Sequence, residues 1–425
     1  MKELLKRILP SFLLGWYHFL MAFVAALWYY FPSQRLILIG VTGTNGKSTT
    51  SEMIFRILQE AGHKTALLSS IHFQIGNTEK RNTLKMTMPG RFFIQKFLRQ
   101  AVDEGCKYAV LEVTSEGILQ HRHRFLNFHT AVLTNISPEH IERHGSFEHY
   151  INAKGKLFEA TKKLHIVNGD DEKAEFFLRL PSQEHFVYTI GALPSKALGG
   201  VRVVEARLAK ESVQSSFSVA GVLFHLQLLG KFQAYNALAA ICVALSQGIS
   251  LEVCKKALEA ICGVPGRMEI ISREPFSVIV DYAFTPAALE QVYQTFSSPR
   301  ICVLGAAGGG RDAWKRPELG KIAALYCKNV IIANEDPYEE DPKQIMEQVA
   351  KGATDQGRAT VEIIEDRREA IRRALNLAHA GDTVIITGKG SEDSIAVAQG
   401  KKIPWDDRAV AKEELSAILD REPLS

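Results

Sequence analysis

The chain has 425 residues, 46% of them hydrophobic and 23% charged, with a formal net charge of +4. That length allows two or three domains with sizeable cores, and the balance is that of an ordinary soluble globular protein. The small net charge, with no Arg/Lys stripe interleaved with aromatics, gives no reason to expect nucleic acid. Six cysteines, at 106, 242, 254, 262, 302 and 327, form no C-x-x-C pair. A zinc ribbon or redox motif is therefore not expected; buried free thiols in a reducing cytosol are.

The first element is an apolar run, ILPSFLLGWYHFLMAFVAALWYYF, from Ile8 to Phe31. It is long enough to cross a bilayer, and Trp16, Tyr17, Trp28, Tyr29 and Tyr30 suit membrane interfaces. No small-residue cleavage site follows, so it does not read as a signal peptide. Lys2, Lys6 and Arg7 before the run and only Arg35 close after it would export the rest of the chain if the run were a span. Three arrangements stay open: a helix or hairpin in the membrane interface, a true span, and a helix packed on the protein's own body.

From residue 36 short apolar runs alternate with helical periodicities. Strands are expected at 36–41, 64–70, 108–114, 130–136 and 164–170, and helices at 48–62, 91–105 and 147–162. Such alternation implies a mostly parallel, doubly wound sheet. From about 200 to 230 the segments VRVVEARL, SSFSVAG and VLFHLQLLG read as a small antiparallel sheet, followed by helices at 234–248 and 252–261. VPGRMEII (264–271) reads as a hinge. Beyond it alternation restarts, from FSVIVDYA to DTVIITGKG, as a second, Rossmann-like α/β unit. The expected division is 1–35, an apolar helical segment; 36–263, a central domain; and 264–425, a C-terminal domain.

The stretch LILIGVTGTNGKSTTSEMIF (36–55) joins a strand to a helix through a glycine loop. Loop N–H groups and a helix N-terminus cradle phosphates, Lys47 can reach the outer phosphates, and the Ser48 hydroxyl can ligate Mg²⁺. The stretch departs from the usual G-x-x-x-x-G-K-[ST], with Val41 at the first glycine and Gly43 two positions later. Gly43, Gly46, Lys47, Ser48 and Thr49 together still point to phosphate rather than to a generic turn.

TGTNGKST resembles the ATP loop of the Mur ligases, a family that includes the folylpolyglutamate synthases. Further matches follow in family order: LEVTSEG (111–117), LTNISPEHIERHGSFEHYINAKGKLF (133–158), GKFQAYNALAA (230–240), VPGRMEI (264–270), VDYAFTPAAL (280–289), TGKGSE (387–392) and IPWDDR (403–408). The closest subtype is the MurE-type tripeptide synthetase. The resemblance implies that ATP phosphorylates a peptide carboxylate and that an amino group attacks the acyl phosphate. It implies ATP and Mg²⁺, a UDP-muramoyl-peptide and a free amino acid as partners, and a cytoplasmic site of action, with residues 8–31 a candidate contact to the inner face of the membrane.

Carried over residue by residue, the resemblance makes Lys47, Glu112, His140 and Lys154 catalytic. It gives Gly43, Thr44, Asn45, Gly46, Lys47, Ser48 and Thr49 to the phosphates and Asn236 to adenine. Arg267 falls to phosphate and Asp281 to the nucleotide sugar. Ser48, Glu112, His140 and Lys154, the last as a carbamate, are the expected metal ligands. Thr87, Ser115, Asp336, Tyr338, Lys389 and Glu392 are the expected substrate contacts.

Departures from the family pattern are informative. Phe284 stands at the histidine of D-Y-A-H-T-P, and Ser391 at that of G-K-G-H-E. Thr114, Ser115 and Glu116 replace S-S-H. Tyr338 replaces the arginine with which diaminopimelate-adding members grip the far carboxylate, and a phenol cannot imitate that fork. Glu335, Asp336, Glu339 and Glu340 make the region acidic and suited to a cationic amino acid such as lysine. The usual uridine-binding domain before the loop has no counterpart in the first 35 or so residues. A folylpolyglutamate-like ligase and a membrane-associated ATP-binding protein without ligase activity are the competing readings.

Overall fold

The protein is described by a computed structural model covering residues 11–191, 200–209 and 214–420. Lys2, Lys6 and Arg7 lie outside these residues, as does the start of the apolar run at Ile8–Pro10.

The first sheet contains β1 (Ile37–Thr42), β2 (Thr65–Leu68), β3 (His72–Ile75), β4 (Thr78–Arg81), β5 (Tyr108–Glu112), β6 (Phe128–Leu133), β7 (Leu164–Asn168), β8 (Glu184–Thr189), β9 (Val201–Leu208), β10 (Gln214–Val219) and β11 (Val222–Leu229). Their order is β11-β10-β9-β8-β7-β6-β1-β5-β2-β3-β4. From β9 to β2 all neighbours are parallel. The central strands read as unbroken apolar runs because helices cover both faces. The antiparallel strands expected near 200–230 are β9–β11, but β9 also pairs parallel with β8, so they extend the large sheet. The hairpin β3–β4, built around Gly76 in the left-handed region, closes the opposite edge.

The second sheet contains β12 (Glu269–Ser272), β13 (Ser277–Asp281), β14 (Arg300–Leu304), β15 (Asn329–Ile332), β16 (Thr360–Ile363) and β17 (Thr383–Thr387), in the order β12-β13-β17-β14-β15-β16. Only β12 runs antiparallel to its neighbour. A short antiparallel pair, β18 (Ser394–Ala396) and β19 (Lys402–Pro404), follows.

Two helices fix the phosphate loop. Lys47–Glu60 buries Met53, Ile54, Phe55, Ile57 and Leu58 and packs on Phe232–Ser246, whose alanine-rich sequence lets the two axes approach. Phe147–Ala160 starts at Ser146, whose side chain accepts from the His149 N–H. That cap sets the register that places Lys154 beneath the loop.

The helix Ser11–Trp28 packs against Arg91–Asp103 and buries Ala22, Ala25 and Ala26, while Phe19 meets the His121 and Phe125 rings edge-on. Its other face is open: Trp16, Leu20 and Trp28 are 68%, 55% and 71% exposed. Among the described residues no helix is long and apolar enough to cross a membrane. All six cysteines are free; five are buried as expected, but Cys262 is exposed, because it falls in the loop after the helix Leu251–Glu259 rather than on a packed face.

His123 is buried with its Nδ1 unpartnered, and burial lowers its pKa from 6.5 to about 3. Between those values the unfolded chain holds a proton that the folded chain does not, so stability is lost as pH falls below 6.5. Urea unfolding at pH 7 and pH 5 is expected to show a smaller loss for His123→Gln than for the native chain.

Candidate active site

The loop between β1 and the helix Lys47–Glu60 is gripped by the end of β6. The Thr44 N–H donates to the Asn135 carbonyl at 2.9 Å, and the Asn45 N–H donates to Asn135 Oδ1 at 2.9 Å. Thr134 Oγ1 donates to the Asn45 carbonyl at 2.6 Å. Gly43 has φ 151°, and a Cβ there would lie 1.8 Å from Thr134 Oγ1. Gly46 has φ 79°, and a Cβ there would lie 2.4 Å from Asn236 Oδ1. Both glycines are thus demanded by backbone angle and by contact. The loop ends at the first turn of a helix, whose leading N–H groups have no intrahelical acceptor.

Two lysines converge on this loop. Lys47 Nζ donates to the carbonyls of Gly43 at 2.9 Å and Thr44 at 2.7 Å, and Lys154 Nζ donates to the Gly43 carbonyl at 2.8 Å. Burial lowers the pKa of both, that of Lys154 well below the ordinary value, with Lys47 a further cause. Arg267, stacked on the Tyr282 ring at 4.3 Å, also lowers that of Lys47. Cations accumulated this way fit an incoming polyanion.

Beside them lies a row of oxygens. Glu112, fully buried at the end of β5, accepts from the Ser70 N–H at 2.8 Å and from Ser70 Oγ at 2.9 Å. Ser70 Oγ is 3.4 Å from Ser48 Oγ and 3.1 Å from Thr87 Oγ1. Hard oxygen donors of this kind suit Mg²⁺. Among the described residues no group of three or more His, Cys, Asp or Glu is arranged to hold a metal. The expected ligand set contains only two such residues, Glu112 and His140, and the donor chemistry of Ser48 and Glu112 fits magnesium.

His140 takes a left-handed backbone, φ 58°, just before the short helix Ile141–His144. Burial first, then Lys154, Lys315 and Lys47, lowers its pKa to about 3, so the ring is neutral with a lone pair to offer. The second half of the chain fixes this segment. Asp312 accepts from the N–H groups of Ile141 at 3.2 Å and Glu142 at 3.0 Å, Glu142 accepts from the Ala313 N–H at 3.0 Å, and Lys315 pairs with Glu139 at 2.8 Å. Lys315 also lies 4.9 Å from the Phe284 ring centroid. Phe284 therefore keeps a contact with a site cation, through its π face. Thr285 Oγ1 donates to Asn45 Oδ1 at 3.3 Å, a direct link between the second half and the loop.

The remaining expected contacts fall in two places. Ser115 Oγ pairs with His144 Nε2 at 3.1 Å. Asp336, Tyr338, Lys389 and Glu392 form a cluster at the carboxyl edge of the second sheet. There Lys389 Nζ bonds Asp336 at 2.8 Å and also Glu392, and these carboxylates raise its pKa despite burial. Tyr338 Oη accepts from Arg311 at 3.0 Å. The acidity expected from Glu335, Glu339 and Glu340 is spent elsewhere. Glu335 is buried under Gly388, Glu339 accepts from the Gln399 N–H, and Glu340 binds Arg316 at 2.7 Å.

Asn236 and Asp281 are engaged within the protein. Asn236 accepts from Thr50 Oγ1 at 3.2 Å and donates to Gln233, bracing the loop helix. The Asp281 carboxylate accepts from the N–H groups of Met268 at 2.7 Å and Ala283 at 2.6 Å, and burial raises its pKa. Residues absent from the sequence expectations are Ser70, Glu139, Arg311, Asp312 and Lys315; Lys85 lies in NTLKMTMPGR (82–91), a stretch the sequence offers as a substrate contact, but nothing there signals its reach to the second sheet. The G-G-G-R-D run after β14, a glycine loop at a carboxyl edge, is the signal that could have found Arg311 and Asp312.

Gly43→Ala is expected to cost roughly 2 kcal/mol or more in urea unfolding, since backbone strain and a clash add. Gly62→Ala, also at positive φ but with nothing within 4 Å of its Cβ, is expected to cost about 1 kcal/mol.

Residues 41–244 match the Mur ligase middle domain and residues 266–390 the Mur ligase glutamate ligase domain. The UDP-N-acetylmuramoyl-L-alanyl-D-glutamate–2,6-diaminopimelate ligase of Aquifex aeolicus is 36% identical over 390 residues, which is 90% of this chain and 78% of that protein. A UDP-N-acetylmuramyl-tripeptide synthetase of Roseiflexus sp. is 36% identical over 421 residues, 93% of this chain and 81% of that one. A solved structure of a UDP-N-acetylmuramoyl-L-alanyl-D-glutamate–2,6-diaminopimelate ligase superposes with a TM-score of 0.60 at 29% identity, covering 90% of this chain and 79% of that one. Glycine loop, paired lysines and both matched domains run through one continuous likeness, and the chain belongs to the Mur ligase family of ATP-dependent, ADP-forming ligases, in the company of its MurE-type tripeptide synthetases.

Proposed function

We propose that this ligase adds an amino acid to the terminal carboxylate of a UDP-N-acetylmuramoyl-peptide. Residues 36–263 bind ATP and residues 264–425 close over it. The observation that carries the reading is the pair of lysines, half-buried Lys47 and buried Lys154, on the Gly43 carbonyl beside the Ser48–Ser70–Glu112 oxygens. An acceptor carboxylate oxygen attacks the γ-phosphorus, the bond to the β-phosphate oxygen breaks, and ADP leaves. The amine then attacks the acyl carbon, phosphate departs from the tetrahedral intermediate, and the amine's proton is released. Lys47 and Arg267 neutralise the charge moving between phosphates, and the loop N–H groups orient them. Mg²⁺, held by Ser48, Glu112 and His140, would supply further neutralisation at the phosphate and carboxylate oxygens. Burial lowers the pKa of Lys154 and so favours the neutral amine, the form that takes up CO₂ to become a carbamate.

Tyr338 in place of an arginine, with Asp336 and Glu392 near it, favours a cationic side chain such as that of lysine. Amino-acid-dependent phosphate release, with UDP-muramoyl-dipeptide and Mg-ATP, is expected to prefer lysine or ornithine over diaminopimelate, with a tripeptide product by mass spectrometry. Lys47→Met should lose at least about a hundredfold in rate. Product with a folate acceptor alone, or ATP binding without product, would overturn the assignment.

We further propose that this enzyme works in the cytoplasm at the inner face of an anionic membrane. The open face of Ser11–Trp28 repeats at helical spacing through Leu13, Trp16, Tyr17, Leu20 and Leu27, and Arg91 lies near Tyr17. Such a face, aromatic and apolar with a cation beside it, suits the headgroup boundary. The protein is expected to float with vesicles containing phosphatidylglycerol, and Trp16→Ser with Trp28→Ser to stay behind. Native protein that remains in solution with every vesicle composition would overturn this.

A further inference from the structure

The Asp336–Glu392 cluster holds a second ammonium that comes from the other half of the molecule. Lys85 lies in the loop after β4, in the first half of the chain, with a left-handed backbone, φ 50°. Its Nζ is 3.7 Å from Asp336 Oδ1 and 3.7 Å from Glu392 Oε2, and it donates to the Ser394 carbonyl. Arg81, at the root of the same loop, reaches Asp406 at 3.2 Å and the Ser391 carbonyl at 2.9 Å. The two lysines of the cluster are not equivalent. The Lys389 side chain is wholly buried, whereas that of Lys85 is 11% exposed on an arm that only its loop holds. Asp336 and Glu392 face the ammonium groups of Lys389 and Lys85, with the Arg311 guanidinium as a further cation nearby. Withdrawing Lys85 takes away the one of these cations that comes from the other half and lets the carboxylates accept another.

We propose that Lys85 is a tethered stand-in for the side-chain ammonium of the incoming amino acid: it occupies the outer cation position of the Asp336–Glu392 pair, and a substrate with a cationic side chain must displace it to bind. This rests on the reading that the amino acid binds at this cluster. Exchange of one ammonium for another changes the local electrostatics little, so the tether's effective concentration decides the competition. For a short flexible segment that is on the order of millimolar. Lys85 thereby acts as a specificity-determining residue. A neutral amino acid offers nothing in exchange for the ion pairs it would break, and is excluded. The opposite role, Lys85 as a fixed receptor for a substrate carboxylate, predicts the opposite sign on its removal.

Two measurements test this. In phosphate release with varied L-lysine, Lys85→Met is expected to lower KM for lysine about tenfold. Lys85→Arg should keep it near the native value, and KM for ATP should not follow. A rise in KM, or no change, in Lys85→Met overturns the proposal. In the native protein, acetylation of Lys85 by acetic anhydride, read by mass spectrometry, should increase severalfold when L-lysine is added and not when L-norleucine is added. Unchanged or reduced labelling overturns it. Failure of every amino acid to yield product would sink the ligase reading, and the labelling would still decide whether free lysine displaces Lys85.

Discussion

One carbonyl oxygen, that of Gly43, accepts from the half-buried Lys47 and the buried Lys154, and much of the surrounding architecture serves that convergence. Holding two amines side by side away from water, with neither bonded to a carboxylate among the described residues, is costly. The fold tolerates it because Gly43 can take an angle and a proximity to Thr134 that no side chain permits. The cap at Ser146 and the grip of Asn135 hold the two lysine-bearing helices to the same point. A bound polyanion would offset that cost.

The second sheet completes this arrangement from outside. Asp312 caps the segment that carries His140, Lys315 reaches Glu139, and Thr285 touches Asn45. These bonds cross between halves of the chain and tie the phosphate loop and the His140 segment to the second sheet. The arm bearing Arg81 and Lys85 crosses in the other direction. Each half thus supplies a cation to a site built mainly by the other.

What could be read in the sequence was what is local. The glycine loop, Lys47 and Ser48 are contiguous, and Glu112 ends a strand whose apolar run is unmistakable. Strand–helix alternation gave both sheets because parallel strands buried on two faces leave a dense apolar signature. Ser70 was illegible, since a serine in a loop between strands carries no sign that it will link Ser48 to Glu112. The reach of Lys85 was illegible for the same reason over a greater distance. The acidic run around Asp336 misled in the other direction. Four neighbouring carboxylates looked like one field, yet Glu335 and Asp336 face Lys389 while Glu339 and Glu340, beyond the turn at Tyr338, φ 52°, reach the Gln399 N–H and Arg316. Phe284 stands where the family pattern has a histidine, and only the fold shows that its ring meets Lys315.

The exposed thiol of Cys262 lies two residues before the segment where the chain passes from the first sheet to the second, while the other five thiols are buried. A maleimide dye would therefore attach at a single place, on the joint itself. Its emission would register any change around that segment when nucleotide is added, without any engineered cysteine.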